Sequence, residues 1–170
     1  MTEEHDHEYR TGIGTDIHPL VAGRKLKLGG IEIPHPMGLS GHSDGDVVIH
    51  SVIDALLGAA GMGDIGTLFP DEDPQYAEAD SREFLVVIKD KLAEKRWEVV
   101  NVDLIIHAGQ PRMEPYKGQI KRCIAELLSI DFNAVNVKAK TDSGFGDVGT
   151  GDAIAATTAV LLKRKYKRTL

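Results

Sequence analysis

The alternation of apolar and polar residues along the chain predicts five extended segments. Patterns of period two, rich in β-branched residues and bounded by glycine or proline, are typical of strands. Such segments cover residues 10–20, 25–33, 99–107, 134–140 and 153–162. The second segment contains the pair Gly29-Gly30, so it is predicted as a strand or a short hairpin that turns at these glycines.

Three other segments place apolar residues at the spacing of an α-helix. They cover residues 44–60, 81–96 and 115–128. Ser43 or Asp44 can cap the first helix, and Gly61 is a typical residue for its end. Residues 64–76 and 141–152 are rich in glycine and are predicted as loops. Because helices and strands mix without strict alternation, the expected fold class is α+β, with a single mixed β-sheet covered by helices.

The length and composition of the chain are those of one globular domain. It has 170 residues, of which 42% are hydrophobic and 27% are charged. Residues 1–9 are polar and acidic, and we expect them to form a disordered leader. Residues 10–170 are therefore expected to form a single domain.

The charge, hydropathy and cysteine content of the chain argue against a nucleic-acid partner, a membrane helix and an internal disulfide. The formal net charge of −6 gives no reason to expect nucleic acid, since binding of a phosphate backbone needs a clustered basic surface. The basic residues at positions 163–168 are predicted to solvate the end of the last strand. No apolar run reaches the roughly 18 residues that a membrane helix needs. Cys123 is the only cysteine, which excludes an internal disulfide, favours a reducing compartment and predicts a buried, inert thiol.

One set of residues is suited to binding a metal ion. Asp16 and His18 lie two positions apart on the first predicted strand, so both side chains leave the same face. If the following helix packs over the sheet, His50 completes a set of two histidines and one carboxylate. Three protein ligands with one open position are typical of catalytic zinc, although the set also suits ferrous iron. Asp46 and Asp54, each four residues from His50, are candidates to fix the tautomer of its imidazole.

Two glycine-rich stretches match the pattern G-x-G-x-x-G, at residues 61–66 and 144–149. Neither follows a strand and opens a helix within a βαβ unit, so a dinucleotide site is rejected. The glycines still allow a ligand to approach the backbone closely. Asp64 is a candidate to accept a hydrogen bond from a sugar hydroxyl, with a tight turn as the alternative. Residues 69–74 are predicted as a polar flap or an ordinary surface loop.

Several longer motifs occur in order along the chain. They are DIH at 16–18, GHSDGD at 41–46, His50, DALLGAA at 54–60, GDIG at 63–66, FPD at 69–71, ADSR at 79–82, NVD at 101–103, PRM at 111–113 and VNVKA at 135–139. Together they resemble the 2-C-methyl-D-erythritol 2,4-cyclodiphosphate synthase family, over nearly all of the chain after residue 10.

The resemblance implies a reaction and an assembly. The substrate would be 4-diphosphocytidyl-2-C-methyl-D-erythritol 2-phosphate, whose 2-phosphate attacks the β-phosphorus. CMP then leaves and an eight-membered cyclic diphosphate remains, on the non-mevalonate route to isoprenoid precursors. The family is a homotrimer of α+β subunits with active sites between neighbours, so residues 10–170 would form its single catalytic domain. A cytoplasmic location is implied, or the plastid stroma for an organellar form.

The resemblance also implies roles for individual residues. Asp16, His18 and His50 would hold zinc, and Mg²⁺ or Mn²⁺ would be a second cofactor. His42 and Thr141 would act on the reacting phosphates. The implied substrate-binding residues are Asp16, His18, His42, Ser43, Asp64, Ile65, Gly66, Phe69, Asp71, Asp73, Ala108, Pro111, Arg112, Met113, Ala139, Lys140, Thr141 and Asp142. Residues 111–113, with residues 139–141 from a neighbouring subunit, would enclose cytidine and the diphosphate.

The late glycine-rich loop departs from the family pattern. The glutamate expected to bind Mg²⁺ falls at Ser143, a poor ligand, and Asp142 is predicted to replace it, since hard cations accept a well-placed carboxylate. The arginine that faces an anion pocket in the family's trimer falls at Thr150. Two other functions stay open: a zinc-dependent phosphohydrolase, and a cytidine-nucleotide or isoprenoid-diphosphate binding protein without turnover.

Overall fold

A five-stranded mixed β-sheet organises the part of the chain that the computed structural model describes, residues 6–70 and 72–166. The strands are β1 (Asp6–Ala22), β2 (Leu26–Leu28), β3 (Ile31–Ile33), β4 (Met37–Leu39), β5 (Glu98–Ala108), β6 (Val135–Lys140) and β7 (Ala153–Tyr166). The large sheet has the order β4-β1-β7-β5-β6, with β5 and β6 parallel and the other pairs antiparallel. β2 and β3 form a separate hairpin. The predicted α+β class with a mixed sheet is confirmed.

The helices lie between these strands. They are α1 (Val47–Ala60), α2 (Ile65–Leu68), α3 (Ser81–Glu94), α4 (Lys117–Leu128) and α5 (Gly146–Thr150), with 3₁₀ turns at Pro74–Tyr76, Phe132–Ala134 and Asp142–Gly144. The three long helices were predicted within a few residues. β4, α2 and α5 were missed, because elements of three to five residues are too short to show a hydrophobic period. Among the described helices, none is both long and apolar enough to cross a bilayer.

Residues 6–9 belong to β1, which corrects the prediction of a disordered leader for this part of the chain; residues 1–5 lie outside the described residues. The acidic start pairs with the basic end of β7, where Glu8 accepts a hydrogen bond from Arg164 Nε at 2.7 Å. Arg164 also lies over the ring of Trp97, 4.3 Å from its centre. Lys163 forms an ion pair with Glu98, so this basic segment is bound into the sheet. Positions 167 and 168 lie outside the described residues.

Within residues 6–70 and 72–166, helices cover one face of the sheet. The alternate residues Leu104 and Ile106 of β5 and Val160 and Leu162 of β7 are buried against them. On the other face, β1 exposes large apolar side chains. Ile13 is 68% exposed, and Tyr9 and Ile17 are also more than half exposed.

α1 begins at Val47 because Asp46 caps it, where Ser43 or Asp44 was predicted. The Asp46 carboxylate accepts from the backbone N–H of Val48 and Ile49, both at 3.1 Å. It also accepts from Gly29 N at 2.8 Å and Gly30 N at 2.7 Å, which ties the β2–β3 hairpin to the start of the helix. Full burial raises the pKa of Asp46, while these backbone bonds oppose the rise.

α1 is buried on almost every side. Of its residues, all except Asp54 and Gly58 are buried, because the sheet covers one side and α3 and the hairpin cover others. The expectation of a single apolar stripe, as on a surface helix, therefore does not describe α1.

Two glycines let α1 lie directly on the backbone of β1. A Cβ atom added at Gly14 would lie 2.1 Å from the carbonyl oxygen of Ser51, and one at Gly12 would lie 2.0 Å from that of Ala55. Neither position has room for a side chain. The next inward residue of the strand is Asp16, so this close contact sets the height of His50 above it.

We expect Gly14→Ala to lower the free energy of unfolding by roughly 1–3 kcal/mol, because a methyl group must push the helix backbone off the strand. Urea denaturation measures this effect. Gly58→Ala is the matched control, since its Cβ would find only Ile13 O, at 3.9 Å, and should stabilise α1 by up to about 1 kcal/mol. Wild-type stability in Gly14→Ala would show that the helix does not rest on β1.

Candidate metal centre

Asp16, His18 and His50 converge at one end of the covered face of the sheet. Asp16 Oδ2 lies 3.0 Å from His18 Nε2 and 2.9 Å from His50 Nδ1. One ligand atom from each residue lies within 4.8 Å of the other two, so one ion can contact all three. Among residues 6–70 and 72–166, this is the one such group of three histidine, cysteine or acidic residues. The predicted convergence of the triad is confirmed.

The strand determines the orientation of the first two ligands. Asp16 and His18 project from the same face of β1, as a spacing of two requires. His18 Nδ1 is hydrogen-bonded to the backbone carbonyl of Ser40. A carbonyl only accepts, so Nδ1 carries a hydrogen, and Nε2 is the nitrogen that faces Asp16. The hydrogen bond to Ser40 thus leaves Nε2 as the nitrogen that can bind a metal ion.

The carboxylate of Asp16 is held in its ionised form. Burial of this group tends to raise its pKa, but the hydrogen bonds and positive charges of His18 and His50 outweigh burial and hold the pKa well below its usual range. An ionised carboxylate and two imidazole nitrogens form the donor set that zinc and related divalent ions use in proteins. The residues present thus fit a divalent metal ion.

The partners predicted for the other nitrogen of His50 were wrong. Asp46 is occupied by the four backbone N–H groups at the start of α1 and in the hairpin. Asp54 instead accepts from the backbone N–H of Ile65 at 2.8 Å. Helix spacing of four residues places both side chains near His50, but each has a stronger local partner.

Ser81 and Ser43 are the groups that contact His50 Nε2. The distances are 2.9 Å to Ser81 Oγ and 3.2 Å to Ser43 Oγ. Sequence reasoning assigned Ser81 only to the start of a helix. No periodic signal connects residues that are 31 positions apart, so only the packing of α3 beside α1 reveals this contact.

A cavity of about 210 Å³ opens beside the triad. Its lining consists of Asp16, His18, Gly41, His42, Ser43, His50, Asp54, Ile65, Gly66, Phe69, Tyr76 and Phe84. Eight of these are predicted ligand or substrate residues. The structure adds Gly41, Asp54, Tyr76 and Phe84. Helix spacing had placed Asp54 near His50, whereas the chain positions of Tyr76 and Phe84 gave no sign of a shared site.

Three aromatic rings form one wall of this cavity. Phe69 stacks on Phe84 with ring centres 4.4 Å apart, and Tyr76 meets both rings edge-on at 5.4 and 5.5 Å. The stretch predicted as a polar flap is therefore anchored by its apolar residues. The carbonyl oxygen of Asp73 lies 3.1 Å from His42 Nε2, which connects the flap to the predicted catalytic residue. Asp71 lies outside the described residues.

Asp64 does not line the cavity. Its side chain is exposed and caps α2, accepting from Thr67 N at 2.8 Å and Thr67 Oγ1 at 2.7 Å. These hydrogen bonds lower the pKa of Asp64. Its contact with a sugar hydroxyl stays a prediction.

A second cavity, of about 160 Å³, lies at the carboxyl ends of β5 and β6. It is lined by Ala108, Gly109, Arg112, Met113, Glu114, Ala139, Lys140 and Thr141. Five of the residues predicted to enclose cytidine and the diphosphate are thus brought together, with the predicted substrate-binding residue Ala108. The two cavities share no lining residue.

Asp142 is paired with His107, a residue that sequence reasoning missed. The distance from Asp142 Oδ1 to His107 Nδ1 is 2.9 Å. Asp142 and Ser143 both have a φ of 52°, so the loop turns sharply here. Asp142 is not part of the three-residue group around Asp16, and its role with a second metal stays a prediction.

Cys123 is partly buried, and burial raises the pKa of its thiol, as an unreactive cysteine requires.

Comparison with protein families and sequences identifies close relatives. The family model described as the YgbB family matches residues 9–163. The chain is 51% identical over 159 residues to the 2-C-methyl-D-erythritol 2,4-cyclodiphosphate synthase of Bordetella petrii, covering 92% of this chain and 96% of the relative. It is 43% identical over 153 residues to the synthase of Treponema denticola, covering 90% and 95%.

Solved structures with the same fold include a fused and an unfused relative. The bifunctional IspDF from Campylobacter jejuni superposes with a TM-score of 0.90 at 41% identity, covering 94% of this chain and 43% of that one. IspF from Plasmodium falciparum, in a CDP complex, superposes with a TM-score of 0.82 at 34% identity, covering 93% and 97%.

Proposed function

The chain belongs to the 2-C-methyl-D-erythritol 2,4-cyclodiphosphate synthase (YgbB) family, and we propose that it catalyses that family's reaction as a phosphorus–oxygen lyase. The substrate is 4-diphosphocytidyl-2-C-methyl-D-erythritol 2-phosphate. An oxygen of its 2-phosphate bonds to the β-phosphorus, the bond from that phosphorus to the α,β-bridging oxygen breaks, and CMP leaves with the electron pair. We base this on one observation: the triad of Asp16, His18 and His50 at the wall of a cavity that also contains His42 and Ser43. A cytoplasmic or plastid location stays a prediction.

The triad supplies the ligands for a metal that acts on phosphate. We assign Asp16, His18 and His50 to Zn²⁺ and expect Mg²⁺ or Mn²⁺ as a second ion. When bound, zinc supplies Lewis acidity and positive charge at the β-phosphate. The protein contributes one ionised carboxylate and two neutral imidazoles, which leaves the ion a net positive charge. Since the attacking group is already an anionic phosphate, alignment and charge neutralisation are the main requirements, and no strong general base is needed.

The loop that contains His42 and Ser43 is clamped beside the triad. Arg24 donates from Nη1 to the carbonyl oxygen of Gly41 at 3.0 Å and from Nη2 to that of Ser43 at 2.5 Å. These bonds hold the imidazole and the hydroxyl of the loop against the cavity, where they can donate to phosphate oxygens. Gly66 offers the erythritol a wall without a side chain.

The second cavity is the proposed site for the cytidylyl group. Lys140 and Thr141 place a cation and a hydroxyl where a diphosphate can bind, and Met113 and Ala139 add apolar surface. IspF from Plasmodium falciparum, which is similar over most of its length, was solved as a CDP complex, and this supports a cytidine ligand here.

We propose that the active unit is a homotrimer in which a neighbour supplies this second cavity. Two observations support the proposal. The two cavities are separate within one subunit, and the sheet face opposite the helices exposes Ile13, Ile17 and Tyr9. Large exposed apolar surfaces of this kind mark protein interfaces.

The direct test is to incubate the purified protein with the cytidylyl substrate, Zn²⁺ and Mg²⁺. We expect release of CMP and a phosphorus NMR signal of a cyclic diphosphate, with none from Asp16→Asn, which keeps the size of the side chain but removes its charge. Linear products or free phosphate would favour the phosphohydrolase. Binding of the substrate without CMP release would favour the binding protein, and either result would contradict the synthase.

A separate experiment tests the glycine-rich loop at residues 141–152, which departs from the family pattern. We propose that Asp142 replaces the family's glutamate as a ligand for the second metal. Asp142→Asn should then raise the Mg²⁺ concentration for half-maximal activity by roughly tenfold or more, because loss of a metal partner commonly weakens binding on that scale. Ser143→Ala is the matched control in the same turn and should change it little. Equal effects from the two variants would defeat the assignment.

A further inference from the structure

A chain of three hydrogen-bonded groups runs from His50 into the protein. Its members are His50 Nε2, Ser81 Oγ at 2.9 Å from that nitrogen, and Asp44 Oδ1 at 2.5 Å from the serine oxygen. Ser81 is fully buried, and the side chain of Asp44 is only 9% exposed. None of the roles assigned above uses Asp44 or Ser81.

The direction of these hydrogen bonds follows from the donors around Asp44. Its Oδ1 accepts from Ser81 Oγ and from Asp46 N at 3.2 Å, and its Oδ2 accepts from Ser81 N at 3.2 Å and Lys27 Nζ at 3.4 Å. A carboxylate offers no hydrogen, and a serine hydroxyl has only one. The hydrogen of Ser81 therefore points to Asp44, and the serine oxygen accepts from His50.

We propose that Asp44 and Ser81 are positioning residues that hold a hydrogen of His50 on Nε2, which leaves Nδ1, the nitrogen that faces Asp16, to bind the metal. This proposal rests on the metal site of the proposed function. Metal-binding histidines commonly donate their second N–H to such a partner, which fixes both the tautomer and the ring orientation. Here the partner is a serine whose own orientation a buried carboxylate determines.

The hydrogen bonds of Ser43 can run in the same direction as those of Ser81. Its hydroxyl oxygen lies 3.2 Å from His50 Nε2 and 3.4 Å from Ser81 Oγ, and it accepts from Gly45 N at 3.4 Å. Its hydrogen can point to Ser81, or to a phosphate oxygen once substrate is bound, while its oxygen accepts from the imidazole. Both serines near Nε2 thus act as acceptors.

Asp44→Asn keeps the size of the side chain and should reverse the direction of the hydrogen bonds that join residue 44, Ser81 and His50. With the amide oxygen in the Oδ2 position, where Ser81 N and Lys27 donate, the amide NH₂ faces Ser81 Oγ, and Asp46 N loses its acceptor. Ser81 must then donate its hydrogen to His50 Nε2. That requires the hydrogen of the imidazole to move to Nδ1, where it opposes binding of a cation.

The test compares Asp44→Asn and Ser81→Ala with the wild-type protein by two measurements. Zinc affinity is measured by competition with a chromophoric chelator, and the tautomer of His50 in zinc-free protein by long-range ¹H–¹⁵N NMR of the ring nitrogens. We expect both variants to lose zinc affinity by roughly 10–100-fold. The wild-type spectrum should show a hydrogen on Nε2, and Asp44→Asn should remove it from that nitrogen.

Ser51→Ala is the matched control for removal of a buried hydroxyl. Ser51 Oγ donates to the carbonyl oxygen of Val48 at 2.9 Å and contacts Thr158 Oγ1 at 2.7 Å, neither of which belongs to a metal ligand. Its zinc affinity should stay within about threefold of wild type, since no partner of the metal site is lost.

Two results distinguish a failure of the positioning role from a failure of the metal site. Wild-type zinc affinity in both Asp44→Asn and Ser81→Ala, with the hydrogen of His50 unmoved, would overturn the positioning role and leave the metal site intact. Full zinc occupancy in His50→Ala, measured by elemental analysis, would overturn the metal site itself.

Discussion

The direct contact between α1 and the backbone of β1 determines where the metal ligands meet. Gly12 and Gly14 leave no side chain between the helix and the strand. The next inward residue of the strand, Asp16, therefore lies at the level of His50, although the two are 34 positions apart in the chain. Because α1 is buried on nearly every side, the helix has little freedom to shift. A rigid scaffold of this kind suits a site that must hold a metal ion and a phosphate in one geometry.

The site depends equally on a defined partner for each polar atom. The backbone carbonyl of Ser40 accepts from one nitrogen of His18, and Ser81 accepts from one nitrogen of His50. The two remaining nitrogens face the same oxygen of Asp16, and their hydrogen bonds and charge outweigh burial and lower the pKa of this carboxyl. A buried cluster is stable only when all its members are satisfied, and no buried side-chain nitrogen or oxygen among the described residues lacks a hydrogen-bond partner. The hydrogen bonds that orient the metal ligands are thus the same ones that satisfy these polar atoms in the folded protein.

The sequence was sufficient for the parts of this structure that depend on local patterns. Period-two and helical spacing predicted the long strands and helices, and the spacing of Asp16 and His18 placed two ligands on one face. The partners of His50 were not predictable, because Asp46 and Asp54 satisfy the helix spacing but bind backbone N–H groups. The aromatic wall was missed for a similar reason: Phe69 and Phe84 are 15 positions apart and meet only through the fold. Likewise, the acidic start of the chain looked unstructured, since its basic partner lies at the other end of the sequence.

The most direct test of the metal centre is X-ray absorption spectroscopy at the zinc edge of the zinc-loaded protein. Two imidazole nitrogens at about 2.0–2.1 Å and carboxylate or water oxygens at about 2.0–2.2 Å are expected, without sulfur. Their scattering should drop by one imidazole in a variant that lacks either histidine of the triad. A sulfur neighbour at about 2.3 Å, which here could come only from Cys123 or a methionine, would contradict the convergence of Asp16, His18 and His50 on one ion.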